Sequence, residues 1–356
     1  MSQFHALQIS EICNETDDCV SIAFDVPSHL APLFTFKPGQ NVTLRMPGES
    51  GEIRRSYSIC SSPHENELRI AVKRVEQGKF SSYANSHLKV GDYLEILAPT
   101  GRFTIESDAE RQATYLFFAA GSGITPIISI IKHLLQTEPF STCVLVYGNR
   151  NRSSIIFKEQ LSALKNRYMG RFVLHHILSR EQTDAPFQQG RIDEEKCEMM
   201  AKWLIEPESV SHFFLCGPEK MIFTVRDWLL RRGITKEKIH YELFNVPVEF
   251  AVQKNATPDE TGKSASVRIK LDGIWFTVDV PFDGPPILDA ALKTGADLPY
   301  ACKGGVCATC RAKLLSGKVE MDTNYALEQE EVDEGYILTC QSHPRSREVE
   351  IDYDSR

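Results

Sequence analysis

The sequence predicts a multidomain protein: an antiparallel β-barrel, then an α/β unit on a parallel sheet, then a small α+β unit. Three observations predict it. The chain has 356 residues, enough for two or three domains at roughly 150 residues each. Its first hundred residues alternate short β-rich runs with turn residues, whereas the next stretch alternates continuous apolar runs with helical ones. Its last quarter holds the only organised cysteines. The boundaries that follow are residues 1–108, 109–245, a connecting stretch 246–265, and 266–356.

In the first unit FTFKPGQNVTLRMP, RRSYSIC, ELRIAVKRV and DYLEILAPTGRF are β-rich segments bounded by Pro, Gly or Asn. Strands at this spacing, with little helical periodicity between them, suggest a small antiparallel barrel. In the second, TYLFFAAG, TCVLVYGN, RFVLHHILS and SHFFLCGP read as strands buried on both faces. The helical stretches IISIIKHLLQT, FKEQLSALKNRY and EKMIFTVRDWLLRRG separate them, which implies a parallel sheet with helices on both sides. Residues 253–266 (QKNATPDETGKSAS) have almost no large apolar side chains and read as a linker. SVRIKLDGIWFTVDV then reads as a hairpin about Asp272-Gly273, and ILDAALKTG as a short helix.

Composition narrows the function classes. Apolar residues make up 42% and charged residues 25%, the balance of a soluble globular protein. The net charge of −8 argues against nucleic acid, which needs a basic face. From residue 264 onward there are 10 basic and 16 acidic side chains, so most of the excess lies in the last unit. The uncharged stretch 112–131 has the length of a membrane span, but its centre reads GSGITP, so strand, turn and helix fit it better. No secretory signal opens the sequence, and the expectation is a cytoplasmic protein with no membrane partner.

Cys302, Cys307 and Cys310 give C-x4-C-x2-C, and Cys340 follows after 29 intervening residues. This is the plant-type [2Fe–2S] spacing. Gly304 and Gly305 would let the loop curl and aim N–H groups at sulfur. The alternative is a structural zinc site, but zinc knuckles usually come as two C-x2-C pairs, and only one is present. A cluster of this kind takes single electrons at low potential, so something upstream must supply them one at a time.

Four further motifs are weak singly. Arg55-Ser56-Tyr57-Ser58 offers a guanidinium and an aromatic ring, or is simply an exposed strand. Gly78-Lys79-Phe80-Ser81-Ser82 reads as a helix start capped by Ser, which is also an anion site. Gly121-Ser122-Gly123-Ile124-Thr125-Pro126 follows a strand and opens a helix, and Cys216-Gly217-Pro218-Glu219 repeats that context. Cys216 is then a thiol at the carboxyl edge of the sheet, or a buried structural one.

Together RSYS, GSGITP, CGPEKM and the appended cysteine loop resemble the ferredoxin–NADP reductase superfamily. More narrowly, they resemble multicomponent oxygenase reductases with a C-terminal plant-type ferredoxin domain, over essentially the whole chain. The resemblance implies an FAD-binding barrel, an NADP(H)-binding α/β domain and a β-grasp-like [2Fe–2S] domain, with FMN open as the flavin. It implies that Arg55 binds the flavin pyrophosphate, Tyr57 stacks on the isoalloxazine and Ser58 approaches N5. Val72 and Lys73 would lie along the flavin edge, with Gly78, Ser81 and Ser82 at its phosphates and Glu242 and Phe244 closing the site. Gly121, Ser122, Gly123, Thr125, Pro126, Cys216 and Gly217 would shape the nicotinamide pocket. Tyr57, Ser58, Thr125 and Cys216 are thereby put at the reacting atoms, and the four organised cysteines at the irons.

Ser179-Arg180-Glu181-Gln182 is similar to the 2′-phosphate-binding segment of these reductases, its hydroxyl and guanidinium suiting that phosphate, and Asn149-Arg150 suits phosphate where an acid would select NAD. NADPH is the expected donor; an ordinary Ser-Arg turn is the alternative. His175-His176 alternates faces on a strand, and the acidic run Glu328 to Glu334 reads as a solvated face with a possible steering role. The resemblance implies a reductase that passes electrons from NADPH through flavin and cluster to a multisubunit di-iron oxygenase. That oxygenase would epoxidise the ring of phenylacetyl-CoA in phenylacetate degradation. A steroid-ring or aromatic hydroxylase as acceptor, or a non-catalytic iron–sulfur carrier, are the alternatives.

Overall fold

The structure is a computed structural model that describes residues 3–48, 51–183, 185–244 and 264–355. It divides into two compact units, one spanning Gln3–Phe244 and one holding the C-terminal region. The linker expectation for residues 253–263 lies outside the described residues. Ser264–Ser266, at the end of that stretch, already belong to a strand.

The first unit opens with β1 (His5–Thr16), β2 (Cys19–Asp25), β3 (Asn41–Gly48), β4 (Gly51–Ser58), β5 (Leu68–Lys73), helix α1 (Lys79–Ser86) and β6 (Tyr93–Ile96). Their sheet runs β4-β3-β6-β1-β2-β5 and every pairing is antiparallel. An Ile59–Ile70 bridge joins the two edges, with the Cys60 N–H donating to the Arg69 carbonyl at 2.8 Å. The sheet therefore closes as the barrel expected. Leu7, Ile9, Ile22, Val42, Leu44, Ile70 and Ile96 fill it.

The second half of this unit runs β7 (Thr114–Ala120), α2 (Ile124–Thr137), β8 (Thr142–Asn149), α3 (Lys158–Arg167), β9 (Phe172–Leu178), α4 (Glu194–Trp203), β10 (His212–Gly217), α5 (Glu219–Arg231) and β11 (Ile239–Leu243). The sheet is wholly parallel, ordered β11-β10-β7-β8-β9. After β9 the chain must cross back past β7 to lay down β10, so the winding direction reverses between β7 and β10. That reversal makes the crevice at their carboxyl ends the natural ligand site. Among the described residues no helix is long and apolar enough to cross a membrane. The charge-free stretch splits at GSG, and α2, with 14 residues, spans only about 21 Å.

Helix α2 also ties barrel to sheet. The Ser129 hydroxyl on α2 donates to the Ser61 carbonyl at 2.6 Å, and Lys132 pairs with Glu65 at 3.0 Å. At the opposite edge of the sheet Glu138 is fully buried, and its carboxylate accepts from the Tyr115 and Ser141 hydroxyls and the Asp108 N–H.

The second unit comprises β12 (Ser264–Leu271), β13 (Ile274–Pro281), α6 (Ile287–Lys293), β14 (Arg311–Ser316), β15 (Val319–Met321), α7 (Gln329–Asp333), β16 (Tyr336–Leu338), β17 (Ser342–Pro344) and β18 (Glu348–Asp352). Its main sheet is mixed, ordered β13-β12-β18-β14-β16. The expected hairpin is present, with Asp272 at φ 52° and Gly273 at φ 77°, the left-handed pair a two-residue turn needs. The Asp354 carboxylate secures it by accepting both turn N–H groups at 2.7 and 2.8 Å. Ile287, Leu288 and Ala291 of α6 join Val267, Ile269, Val349 and Ile351 in the core. The acidic run lies on α7, whose Glu331 is drawn back into an ion pair with Arg311 at 3.0 Å.

Candidate functional site

In the barrel, β4 carries Arg55, Tyr57 and Ser58, placed in register opposite Leu44, Val42 and Asn41 of β3. Arg55 is exposed and its guanidinium donates to the neighbouring Arg54 carbonyl at 2.7 Å. The Tyr57 ring packs on Phe80 of α1 at 5.4 Å between centroids, and burial pushes its hydroxyl pKa up. Val72 is buried on β5, and Lys73 pairs with Asp18 at 3.5 Å.

One expectation at α1 is corrected. The helix is capped by Gly78 and not by a serine; Ser81 and Ser82 lie inside its first turn. The Ser81 hydroxyl accepts the Val75 N–H at 3.1 Å and sits 3.3 Å from the Gly78 carbonyl. It is engaged in holding the loop before the helix, so the amides of the turn are what this segment can offer a phosphate.

At the carboxyl ends of β7 and β10 the glycine motifs meet. A Cβ at Gly123 would stand 2.1 Å from the Cys216 carbonyl oxygen, so only glycine lets α2 start this close to β10. Gly121 has φ +54° with no atom within 4 Å of where a Cβ would be, an open face above the turn. The Tyr147 hydroxyl donates to the Gly121 carbonyl at 2.9 Å, and the Thr125 hydroxyl to the Ser122 carbonyl at 3.0 Å. Pro126 is buried in the first turn of α2.

Cys216 lies beside Glu242 in the β10–β11 register and is fully buried, with burial raising its thiol pKa well above normal. It stays a neutral thiol in the wall of the crevice. Glu242 accepts the Ser58 hydroxyl at 3.0 Å. Burial pushes its carboxyl up to about 7 against the opposing pull of hydrogen bonds from Ser58 and Asn41. Barrel and parallel sheet thus meet at one half-protonated carboxyl near neutral pH. Phe244, just beyond β11, packs against the same core.

Further along the sheet edge, Asn149, Arg150, Ser179 and Arg180 come together at the ends of β8 and β9. The Ser179 N–H donates to the Asn149 carbonyl at 2.9 Å and the Arg180 N–H to the Arg150 carbonyl at 2.8 Å. Asn149 is 8% exposed, and its side-chain NH2 is buried with no partner. Such an orphaned donor at a ligand edge fits an acceptor-rich nucleotide. His175 and His176 pack against Phe187 and Tyr147, and burial lowers both pKa values. Both are structural.

In the C-terminal unit the loop 302–310 carries left-handed Lys303, Gly305 and Ala308 at φ 54°, 74° and 51°. These turns direct amides inward: the Gly304 N–H donates to the Cys302 sulfur at 3.3 Å, and the Gly305 N–H to that of Cys340. The thiols fall into two hydrogen-bonded pairs, Cys302 with Cys307 and Cys310 with Cys340. The Cys307 thiol and loop amides hold the Cys302 pKa below normal, and that of Cys310 does the same for Cys340. Two pairs suit two irons, each taking two thiolates. Among the described residues no group of three or more metal-ligating side chains surrounds a single point.

Sequence reasoning missed Asn41, Tyr147 and Arg152, which support the named residues; Glu181 lay in the Ser179–Gln182 segment already singled out, but its pairing with Arg152 was not legible. Asn41 had one legible signal, a polar residue directly after the turn PGQ and opening a strand.

A closed antiparallel barrel, a doubly wound parallel sheet and a cysteine-loop domain, with these glycine turns, define a flavin- and pyridine-nucleotide-dependent iron–sulfur reductase. Family models agree in order: an oxidoreductase FAD-binding domain over residues 6–105, an oxidoreductase NAD-binding domain over 117–227 and a 2Fe–2S iron–sulfur cluster binding domain over 269–345. The chain is 43% identical over 356 residues to one of the subunits of 1,2-phenylacetyl-CoA epoxidase from Escherichia coli K12, covering 100% of this chain and 99% of that one. It is 34% identical to the ferredoxin reductase component of 3-ketosteroid-9-alpha-monooxygenase from Rhodococcus rhodochrous, over 98% of this chain and 96% of that one. The fold of phthalate dioxygenase reductase matches with a TM-score of 0.60 at 24% identity over 98% of each chain. The chain belongs to the family of oxygenase reductases that join FAD-binding, NAD-binding and [2Fe–2S] domains, and it is an oxidoreductase.

Proposed function

We propose that this chain draws electrons from NADPH and delivers them singly to a multisubunit di-iron oxygenase that epoxidises the ring of phenylacetyl-CoA. The 43% identity across the full length of both chains carries the choice of acceptor. Supply to a steroid-ring hydroxylase is the second reading, favoured by the 34% identity to such a reductase.

The proposed division of labour assigns residues 1–108 to flavin, 109–245 to nucleotide and 266–356 to the cluster, with 246–265 connecting them. Bound FAD and the [2Fe–2S] cluster supply the conversion of a two-electron donor into single electrons. Arg55 and the amides of the α1 first turn, with Gly78, Ser81 and Ser82, would hold the flavin phosphates. Tyr57, seated on Phe80, would offer a flat face to the ring, with Val72 and Lys73 along its edge and Phe244 closing the site. Ser58 and Glu242 form a hydrogen-bonded pair able to hold or release one proton near pH 7. Gly121, Ser122, Gly123, Thr125, Pro126, Cys216 and Gly217 shape the nicotinamide side. Gly123, Thr125, Pro126 and Cys216 are the buried part of that wall, where Gly123 closely approaches Cys216, and Gly121, Ser122 and Gly217 are its half-buried rim.

Arg150, Ser179 and Arg180, with the unpartnered Asn149 amide, favour NADPH over NADH. Cys302, Cys307, Cys310 and Cys340 would hold the irons. All ten cysteines are free thiols, which suits a reducing cytoplasm.

Anaerobic titration of the loaded chain with NADPH tests the electron route. The expected uptake is about three electrons, two on FAD and one on the cluster, with the reduced-cluster signal appearing in electron paramagnetic resonance. Flavin bleaching without that signal would refute it.

A further inference from the structure

We propose that Glu181 is a positioning residue for recognition of the nucleotide's 2′-phosphate, acting through the Arg150–Arg152 loop; the inference rests on the NADPH reading above. Beyond the last paired residues of β8 and β9, the two strand ends remain zipped. The Ser179 N–H donates to the Asn149 carbonyl and the Arg180 N–H to the Arg150 carbonyl. At the next step the Glu181 side chain takes over. One carboxylate oxygen accepts the Arg152 N–H at 2.8 Å, and the other pairs with the Arg152 guanidinium at 3.3 Å. Asn151 and Ser154 secure the same loop reciprocally, side chain to backbone, at 3.0 and 3.1 Å.

The arrangement has an electrostatic logic. Arg150 and Arg180 are exposed on touching loop tips, and among the described residues neither has a carboxylate partner. Two like charges held side by side repel, so the loops need an independent tie. A carboxylate left free at this point would oppose a phosphate. Glu181 is not free: both its oxygens face Arg152 and its side chain is 29% exposed. Its charge is neutralised locally while it fixes the loop that presents Arg150. Arg152, engaged by Glu181, is thereby kept from competing for the phosphate.

The test uses the FAD-loaded full chain and its E181A and E181Q variants. Calorimetry measures binding of adenosine 2′,5′-bisphosphate and of 5′-AMP, which differ only in the 2′-phosphate. Steady-state kinetics with ferricyanide give KM and kcat for NADPH. In E181A the bisphosphate should bind about tenfold more weakly, with 5′-AMP unchanged and the loss appearing in KM for NADPH rather than in kcat. E181Q keeps an oxygen for the Arg152 N–H and should recover most of the difference. Tighter bisphosphate binding in E181A would show the carboxylate to be repulsive and overturn the inference. Equal weakening of both ligands would reduce the role to general structure, and no change would dismiss it. A parent chain that binds both ligands equally would instead overturn the NADPH reading, before any variant is compared.

Discussion

Replacing Glu242 by glutamine probes the carboxyl at which barrel and parallel sheet meet. Burial raises its pKa from 4.5 to about 7. A carboxyl raised in the fold contributes its full stability below the unfolded pKa of 4.5. That contribution is lost progressively as pH rises to about 7, and the cost is constant above it. Each unit corresponds to about 1.4 kcal/mol, so at pH 8 the ionised group costs about 3 kcal/mol relative to pH 4. Glutamine removes that cost; the hydrogen bonds from Ser58 and Asn41 are already counted in the raised value. The gain of about 3 kcal/mol should raise the melting temperature by roughly 6–12 °C at pH 8, given the size of this unit. At pH 5 the folded group is protonated and the unfolded one mostly ionised, a cost of about 0.8 kcal/mol, so the difference should shrink to about 2–3 °C. The assay is thermal unfolding of FAD-loaded parent and E242Q chains at pH 5 and pH 8. The same difference at both pH values, or a loss at pH 8, would refute the reasoning.

Three further outcomes follow from the geometry. Gly123→Ala puts a methyl 2.1 Å from a backbone oxygen that cannot yield, so the start of α2 must shift by about an ångström. A displacement of that size should slow flavin bleaching by NADPH about a hundredfold in stopped flow, and an unchanged rate would contradict the close approach. Gly305→Ala combines φ +74° with a contact 3.0 Å from the Thr323 carbonyl, so the purified variant should retain less iron and less visible cluster absorbance. Full iron content would show that the loop tolerates the change. Arg180→Ala should raise the KM for NADPH about tenfold or more and that for NADH much less; equal effects on both would remove Arg180 from the 2′-phosphate site.

Much of this was legible in the sequence because buried parallel strands are written as unbroken apolar runs. TYLFFAA and TCVLVYGN could be assigned without ambiguity, as could the Asp272-Gly273 turn. β1 and β2 were not singled out. β1 mixes polar and apolar residues, and two irregularities, between Ile9 and Glu11 and between Asn14 and Thr16, break its alternation. α4 was also missed, since only Cys197 and Met200 of its ten residues are buried. β11 is a short edge strand with just Ile239 and Leu243 buried, so Glu242 and Phe244 entered only through family resemblance.

At the site, the four cysteine ligands were readable because cluster chemistry fixes their spacing. The Ser81 hydroxyl was misassigned as a cap because Gly78, which bears no side chain, already starts the helix. The pairings Ser58–Glu242, Tyr147–Gly121 and Arg152–Glu181 join residues 184, 26 and 29 positions apart. Contacts of that kind are set by topology and leave no local pattern.

The central claim is that electrons leave this chain for an oxygenase acting on phenylacetyl-CoA. The most direct measurement mixes the FAD- and cluster-loaded chain with a phenylacetyl-CoA di-iron oxygenase complex in air and follows NADPH oxidation, with and without phenylacetyl-CoA, while epoxide is quantified. Oxidation that depends on phenylacetyl-CoA and is matched by epoxide is the predicted result. Slow oxidation indifferent to phenylacetyl-CoA, from a chain that still shows flavin and cluster absorbance, would contradict the assigned acceptor.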